Sequence, residues 1–217
     1  MSFHFTLAET ETSLRKVARA CGLDWGLAEE AGKAARWLAA FDLPGPEFML
    51  AHLQQLAGMD YREYIPDSSA KPWHASGGLL YPIITGAALA DRSAQMLGGE
   101  VFSLGPTAYP LLLAATVGQA ARCHQTVFTT AWAGVRVSCF GNGLSIAGDQ
   151  DDLLLNRVDA VTCRQDSLST PQRLPSTMAY TIDSKIVECI NELAFKTYAP
   201  ATAESRAGAG AGLTDND

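Results

Sequence analysis

The chain has 217 residues, of which 47% are hydrophobic and 18% are charged, and its formal net charge is −7 at pH 7. This length and hydrophobic content allow a sizeable core, in one large domain or two small ones. The negative charge and the lack of a Lys/Arg stripe argue against nucleic-acid binding, because such a surface repels phosphates. No stretch approaches the roughly 18 apolar residues that span a bilayer, and no signal peptide is recognised at the start, so we expect a cytoplasmic chain without membrane association.

Two helices are predicted at the N-terminus, joined as a tight hairpin. Thr6 and Glu9 fit a capping box, in which each side chain accepts a hydrogen bond from the other's backbone. Gly22 is expected to end the first helix with a positive φ, and Asp24 to cap the second. The two glutamates in the opening turns of the second helix argue against a DNA-reading helix-turn-helix, because they would face the phosphates.

Three residues at the start of the second helix are candidates for a ligand site: Trp25, Glu29 and Glu30. The favoured interpretation is structural, since carboxylates stabilise the positive end of a helix dipole and Trp25 would be a buried packing residue. The alternative is that these three side chains bind a small polar or cationic metabolite.

The segment DWGLAEEAGKAARWL, which includes WGLAEEAGKA, and the terminal GAGAGLTDND resemble an uncharacterised bacterial family known only as a domain of unknown function. The resemblance implies a bacterial protein and extends along most of the chain. It implies no activity, cofactor or catalytic residue.

A third helix is predicted after the Pro-Gly-Pro break at 44–46, and it is followed by a long aromatic-rich loop over 59–78. A loop of this length is either a cover over a site or a packed connector. Within it, His74 is the most site-like histidine, and it adjoins Trp73, so both are further ligand-binding candidates. The apolar run 79–84 is predicted as an edge strand because of its proline.

A central apolar helix is predicted over 109–122, with Pro110 in its first turn. β-Branched and aromatic residues then predict an antiparallel meander of about four strands. Its hairpin signal is Asn142-Gly143, which favours a type I′ turn with positive φ at both residues. A last amphipathic helix is predicted from about Asp183 to Lys196.

These elements predict an α+β fold with an N-terminal helical layer, a central apolar helix, an antiparallel β-meander and a closing C-terminal helix. We expect one domain over 1–206, with its helical part at 1–122 and the meander and last helix at 123–206. Residues 207–217 form a Gly/Ala tail with an acidic end.

No motif in the sequence assigns a reaction. The five cysteines are scattered without a C-x-x-C pair, so we expect buried small side chains rather than metal ligands. GAGAG lies too close to the last residue to open the helix that a phosphate loop requires. We therefore assign no catalytic residue, no metal and no cofactor.

The tail carries four residues that could dock on a partner or on the chain itself: Leu213, Asp215, Asn216 and Asp217. The alternative is a frayed terminus. Two functions follow as hypotheses. The first is a non-catalytic accessory or interaction protein of bacterial cytoplasmic metabolism that acts through its tail, by binding a protein partner or by self-association. The second is an enzyme or binder of a small polar or cationic metabolite.

Overall fold

The computed structural model describes residues 2–167 and 173–197, which form an α+β fold as predicted. The helices are α1 (Leu7–Ala20), α2 (Trp25–Ala39), α3 (Gly45–Leu56), α4 (Pro82–Asp91), α5 (Ser93–Leu97), α6 (Pro110–Cys123), α7 (Gln150–Leu153) and α8 (Ser184–Phe195). The strands are β1 (Ser2–Thr6), β2 (Phe102–Leu104), β3 (Thr107–Ala108), β4 (Val127–Trp132), β5 (Val135–Phe140), β6 (Gly143–Ala147), β7 (Arg157–Val158), β8 (Val161–Asp166) and β9 (Ala179–Asp183).

The N-terminal helical hairpin forms with the predicted caps. The amide of Glu9 donates to Oγ1 of Thr6 over 3.1 Å, and the Glu9 carboxylate accepts from the Thr6 amide over 2.8 Å, which completes the capping box. Gly22 has a φ of +97°, which a residue without Cβ adopts at little cost. Oδ1 of Asp24 accepts from the amide of Leu27 at the start of α2. Local chemistry therefore places the ends of α1 and α2.

Helix α6 is the centre of the core, as its apolar sequence predicts. Most of its side chains are buried, and it packs against α4, against α2 and against strands β4 and β5. Pro110 occupies the first turn, where its missing N–H leaves no hydrogen bond unmade. Because α6 is covered by helices and by the sheet, it anchors both layers to one buried cluster.

The main sheet has five antiparallel strands in the order β2-β8-β4-β5-β6. Strands β4, β5 and β6 form the predicted meander, but β8 pairs with β4 on its other side and β2 completes the edge. The sequence order of the strands did not reveal this, because β5, β6 and β7 lie between β4 and β8 in the chain.

Two local predictions were wrong. The run 79–84 is not a strand, since Pro82 begins α4, a helix position that tolerates the missing N–H. In the β5–β6 hairpin the loop residues are Gly141 and Asn142, and Gly143 already pairs with Phe140. Of the two loop residues only Gly141 has a positive φ, +53°, as in a type II′ rather than a type I′ turn.

A two-stranded sheet joins the ends of the described chain. Strand β1 pairs with β9 in antiparallel register, from Ser2 with Asp183 to Thr6 with Ala179. Neither strand was predicted. The last helix, α8, has Asp183 as its N-cap, as predicted, and packs on α1.

Candidate functional site

The candidate site lies where α2 approaches α6. Gly118 of α6 faces Trp37 of α2, and a Cβ placed on Gly118 would lie 3.0 Å from Cζ2 of Trp37. The Trp37 ring also packs edge-on against Phe41, with 5.1 Å between centroids. The missing side chain at Gly118 thus lets the indole lie directly against the central helix.

Two cavities of about 420 Å³ and 460 Å³ flank this contact, a size that suits a small organic ligand. Both are lined by Lys33 of α2 and by Gln119 and Arg122 of α6. We call the two cavities together the α2–α6 cleft. The first is further lined by Glu11, Arg36, Trp37 and Asn142, and the second by Glu30, Asp91, Ser93, Cys123 and His124.

Two of the cations in the cleft are already paired with carboxylates. Nζ of Lys33 donates to Oε1 of Glu30 over 2.8 Å, and Nη1 of Arg36 donates to Oε2 of Glu11 over 2.7 Å. The hydrogen bond from Lys33 to Glu30 raises the pKa of the ammonium group, so Lys33 stays charged. The first pair lies within α2, and the second joins α2 to α1.

Two donors of α6 remain without acceptors. The Arg122 side chain is exposed to solvent, and no hydrogen bond or ion pair joins its guanidinium to any of the described residues. Nε2 of Gln119 is buried and likewise has no partner among residues 2–167 and 173–197. A buried donor without an acceptor costs about 1–3 kcal/mol, which an acceptor bound in the cleft would offset. This cost applies to the buried amide of Gln119, and the exposed guanidinium of Arg122 is the charged group beside it.

Ser93 and His124 form a contact that resembles a nucleophile and its base. Oγ of Ser93 lies 2.8 Å from Nε2 of His124, and it also donates to the carbonyl oxygen of Ala90 over 2.6 Å. A hydroxyl has a single proton, so with that proton on Ala90 the imidazole acts as the donor to Ser93. In that arrangement the imidazole does not accept the serine proton, so the contact by itself does not indicate an activated nucleophile.

A buried histidine lies elsewhere in the core. His52 of α3 is fully buried between the rings of Tyr81 and Tyr109, with centroid distances of 5.2 and 6.1 Å. Neither ring nitrogen has a hydrogen-bond partner in the part of the chain that is described. Burial lowers the pKa of His52 from 6.5 to about 3, so the ring is neutral at physiological pH.

The residues predicted from the start of α2 do not form one site. Trp25 is 65% exposed rather than buried, and the Arg19 guanidinium lies 4.7 Å from its ring centroid. Glu29 is exposed, whereas Glu30 pairs with Lys33 and lines the α2–α6 cleft. The expectation that Trp25 is a core residue was wrong, because its side chain lies on the surface beside Arg19 of α1 instead of in the core.

The other predicted residues are separate from the cleft. Trp73 is buried, and its ring packs edge-on against Phe102. His74 is exposed, and its carbonyl oxygen accepts from the amide of Asp67. Neither lines the α2–α6 cleft. The predicted docking residues Leu213, Asp215, Asn216 and Asp217 lie outside the described residues.

Sequence reasoning missed Arg36, Trp37, Gln119 and Arg122. A signal was available in α6, where Gln119 and Arg122 are three residues apart and so share one face near the end of an apolar helix. Nothing in the sequence indicates that this face meets α2.

The described residues contain no group of three or more His, Cys, Asp or Glu side chains placed to hold a metal ion. Three cysteines, Cys21, Cys139 and Cys163, are buried, and burial raises the pKa of the Cys163 thiol to about 12. None of the described helices combines the length and the apolar character needed to cross a bilayer.

The fold has relatives among solved structures. A dehydrogenase from Sinorhizobium meliloti superposes with a TM-score of 0.57 at 10% sequence identity, over 89% of this chain and 100% of that one. A malate dehydrogenase from Entamoeba histolytica aligns with a TM-score of 0.38 at 10% identity, over 79% of this chain and 51% of its own. At 10% identity the first likeness shows a shared fold alone.

Curated proteins provide no match to the chain. A family model does match its N-terminal part, from the end of β1 through α1, α2 and α3 to the start of α4. The matched stretch, residues 5–80, is similar to the family described as "Protein of unknown function (DUF3726)", which confirms there the resemblance predicted from the sequence.

Proposed function

We propose that the chain binds a small organic carboxylate in the α2–α6 cleft. The observation that carries this proposal is the buried Nε2 of Gln119, which has no acceptor among the described residues and lines both cavities beside the exposed guanidinium of Arg122. The sequence led us to expect a small polar or cationic metabolite, and the proposal takes a polar, anionic one in place of a cation.

The chemistry of the unpaired donors favours this class of ligand. A guanidinium presents a planar fork of N–H groups that fits the two oxygens of a carboxylate, and a charge-assisted pair of this kind is stronger than a neutral hydrogen bond. The amide of Gln119 adds a neutral donor from the same helix face. A ligand carboxylate held by both would satisfy the buried donor of Gln119 and pair with the charge of Arg122.

The surrounding side chains limit the rest of the ligand. The half-buried indole of Trp37 lines the first cavity and offers a flat apolar surface for a hydrocarbon or aromatic body. Glu30 and Asp91 line the second cavity and would repel a second anionic group there. These contacts favour a monocarboxylate with an apolar body over a dianion.

The test is an NMR titration of the full chain with phenylacetate, with phenylacetamide as the uncharged match and succinate as the dianion. We expect phenylacetate to shift the Trp37 indole and Gln119 side-chain signals, and phenylacetamide to bind at least about tenfold more weakly, since hydrogen bonds to charged groups are worth about 1.5–3 kcal/mol.

Arg122→Gln should weaken phenylacetate binding by about tenfold or more for the same reason. Arg62→Gln is the matched control, because Arg62 is exposed and lies outside the cleft. Equal binding of the acid and the amide, or no effect of Arg122→Gln, would overturn the proposal.

The accessory role through the tail stays a prediction of the sequence, since residues 207–217 lie outside the described part of the chain. Carboxylate binding in the α2–α6 cleft does not depend on it.

A further inference from the structure

A second cleft lies on the other side of α1 and carries an unusual charge. Its volume is about 470 Å³, and we call it the Trp25 cleft; it is lined by Arg15, Lys16, Arg19, Ala20, Trp25, Lys196 and Thr197. Four of these seven residues are cations and none is acidic, on a chain whose net charge is −7. Such a cationic patch attracts an anionic segment.

The aromatic wall of this cleft is held in position. The Arg19 guanidinium lies 4.7 Å from the Trp25 ring centroid and donates to the carbonyl oxygen of Leu23. Cation–π contact and this hydrogen bond together fix the indole, which is nevertheless 65% exposed. A large exposed indole beside several cations fits a ligand that combines an apolar side chain with carboxylates.

We propose that residues 213–217 of the same chain, Leu-Thr-Asp-Asn-Asp, occupy the Trp25 cleft. Leu213 would pack on the exposed indole, and Asp215 and Asp217 would pair with Arg15 and Lys196. The Trp25 cleft would then be the docking site for the tail residues that the sequence predicts to dock.

The position of the chain supports an intramolecular occupant. Thr197, the last described residue, is itself part of the cleft wall. Sixteen residues lead from Thr197 to Leu213 and can span at most about 50–60 Å, so the reach is ample. A tethered segment also binds at an effective concentration on the order of millimolar, which makes weak contacts sufficient.

The charges of the two partners are complementary. Residues 198–217 carry Glu204, Asp215 and Asp217 against the single cation Arg206. Lys196 adds a positive charge that acts at short range, since it lowers the pKa of the Cys21 thiol in part against the larger, raising effect of burial. Contact between the tail and the cleft would therefore weaken as salt screens these charges.

The experiment is amide exchange of residues 213–217 in the full chain at low and high salt. At low salt we expect their amides to exchange at least about tenfold more slowly than in a random coil. The reason is that a docked amide exchanges only when the segment is released from the cleft. Asp215→Asn with Asp217→Asn should abolish this protection. These tail positions lie outside the described fold, so this variant tests the contact without altering the cleft.

Changes in the cleft provide the reciprocal test. Arg15→Glu with Lys196→Glu should also abolish protection, and adding Asp215→Lys with Asp217→Lys in the same chain should restore it. Lys185→Glu is the control, because Lys185 is exposed on α8 and lies outside the cleft.

Sedimentation at several concentrations separates a contact within the chain from one between two copies. Protection that is independent of concentration, on a monomer, supports the proposal. Random-coil exchange in the wild-type chain, or protection that appears only with a dimer, would overturn it.

Discussion

Gly86 of α4 lies directly against Thr116 of α6. A Cβ placed on Gly86 would fall 2.6 Å from Cβ of Thr116 and closer still to its hydroxyl oxygen. Both residues also line the α2–α6 cleft. The close approach of α4 to α6 therefore depends on the absence of one side chain, and it shapes one wall of the candidate site.

This contact predicts that Gly86→Ala destabilises the fold. Overpacking in a tight core costs about 1–3 kcal/mol, which exceeds the gain of about 1 kcal/mol from replacing a helical glycine. In a Thr116→Gly background the clash is gone, and the same change should become neutral or stabilising. Urea unfolding of the four variants would measure the effect, and a Gly86→Ala penalty of equal size in both backgrounds would contradict it.

His52 predicts a loss of stability in acid. Its folded pKa of about 3 lies below the ordinary value of 6.5, so as pH falls the unfolded chain binds a proton before the folded chain does. The free energy of unfolding should therefore decrease from pH 6.5 towards pH 3, by up to about 1.4 kcal/mol per pH unit for this one group. Above pH 6.5 the contribution is fully present.

The variant His52→Phe isolates this effect because it keeps an aromatic ring beside Tyr81 and Tyr109 but cannot be protonated. The free energy of unfolding of this variant, relative to that of the wild-type chain, should increase as pH falls below 6.5. His74→Phe is the exposed control. Parallel pH profiles for the wild-type chain and His52→Phe would show that His52 does not titrate as proposed.

The two tryptophans at Trp25 and Trp73 should respond differently to truncation. Trp73→Ala removes a side chain that is only 2% exposed and should cost about 3–5 kcal/mol. Trp25→Ala removes an exposed side chain and should cost under about 1 kcal/mol, the scale of one exposed cation–π contact. Thermal unfolding of the two variants compares them directly, and similar losses would place Trp25 in a packed environment.

The hairpin between β5 and β6 offers a test of its turn. Gly141→Ala places a Cβ at a φ of +53° and should cost about 1 kcal/mol or more, whereas Asn142→Ala should be nearly neutral. Denaturant midpoints measure both. The reverse order of penalties would favour the turn that the sequence predicted, with positive φ at Asn142 and Gly143.

Gly143 should be sensitive to substitution for a different reason. Its φ is not positive, but an added Cβ would fall 2.9 Å from Cδ2 of Phe140 and closer to Cε2. Gly143→Ala should therefore destabilise in the wild-type chain and much less beside Phe140→Ala, which opens that space. Equal losses in both backgrounds, measured by the same unfolding curves, would mean that the Phe140 ring is not the obstacle.

Local signals in the sequence determined much of the helical part. The capping box at Thr6 and Glu9, the cap at Asp24 and the positive φ at Gly22 depend on residues within four positions of each other, so they can be predicted without knowing the fold. The same holds for α6, whose apolar surface and Pro110 identify a central helix.

The tertiary structure alone decided the pairing of distant segments and, with it, the candidate site. Strands β1 and β9 form by pairing across nearly the whole described chain, and β8 pairs with β4 although three strands lie between them in the sequence, which no local pattern encodes. The same is true of the cleft. Gln119 reads as an ordinary polar residue near the end of a helix until the fold buries its amide, because an unsatisfied donor is defined by its surroundings and not by its own residue type.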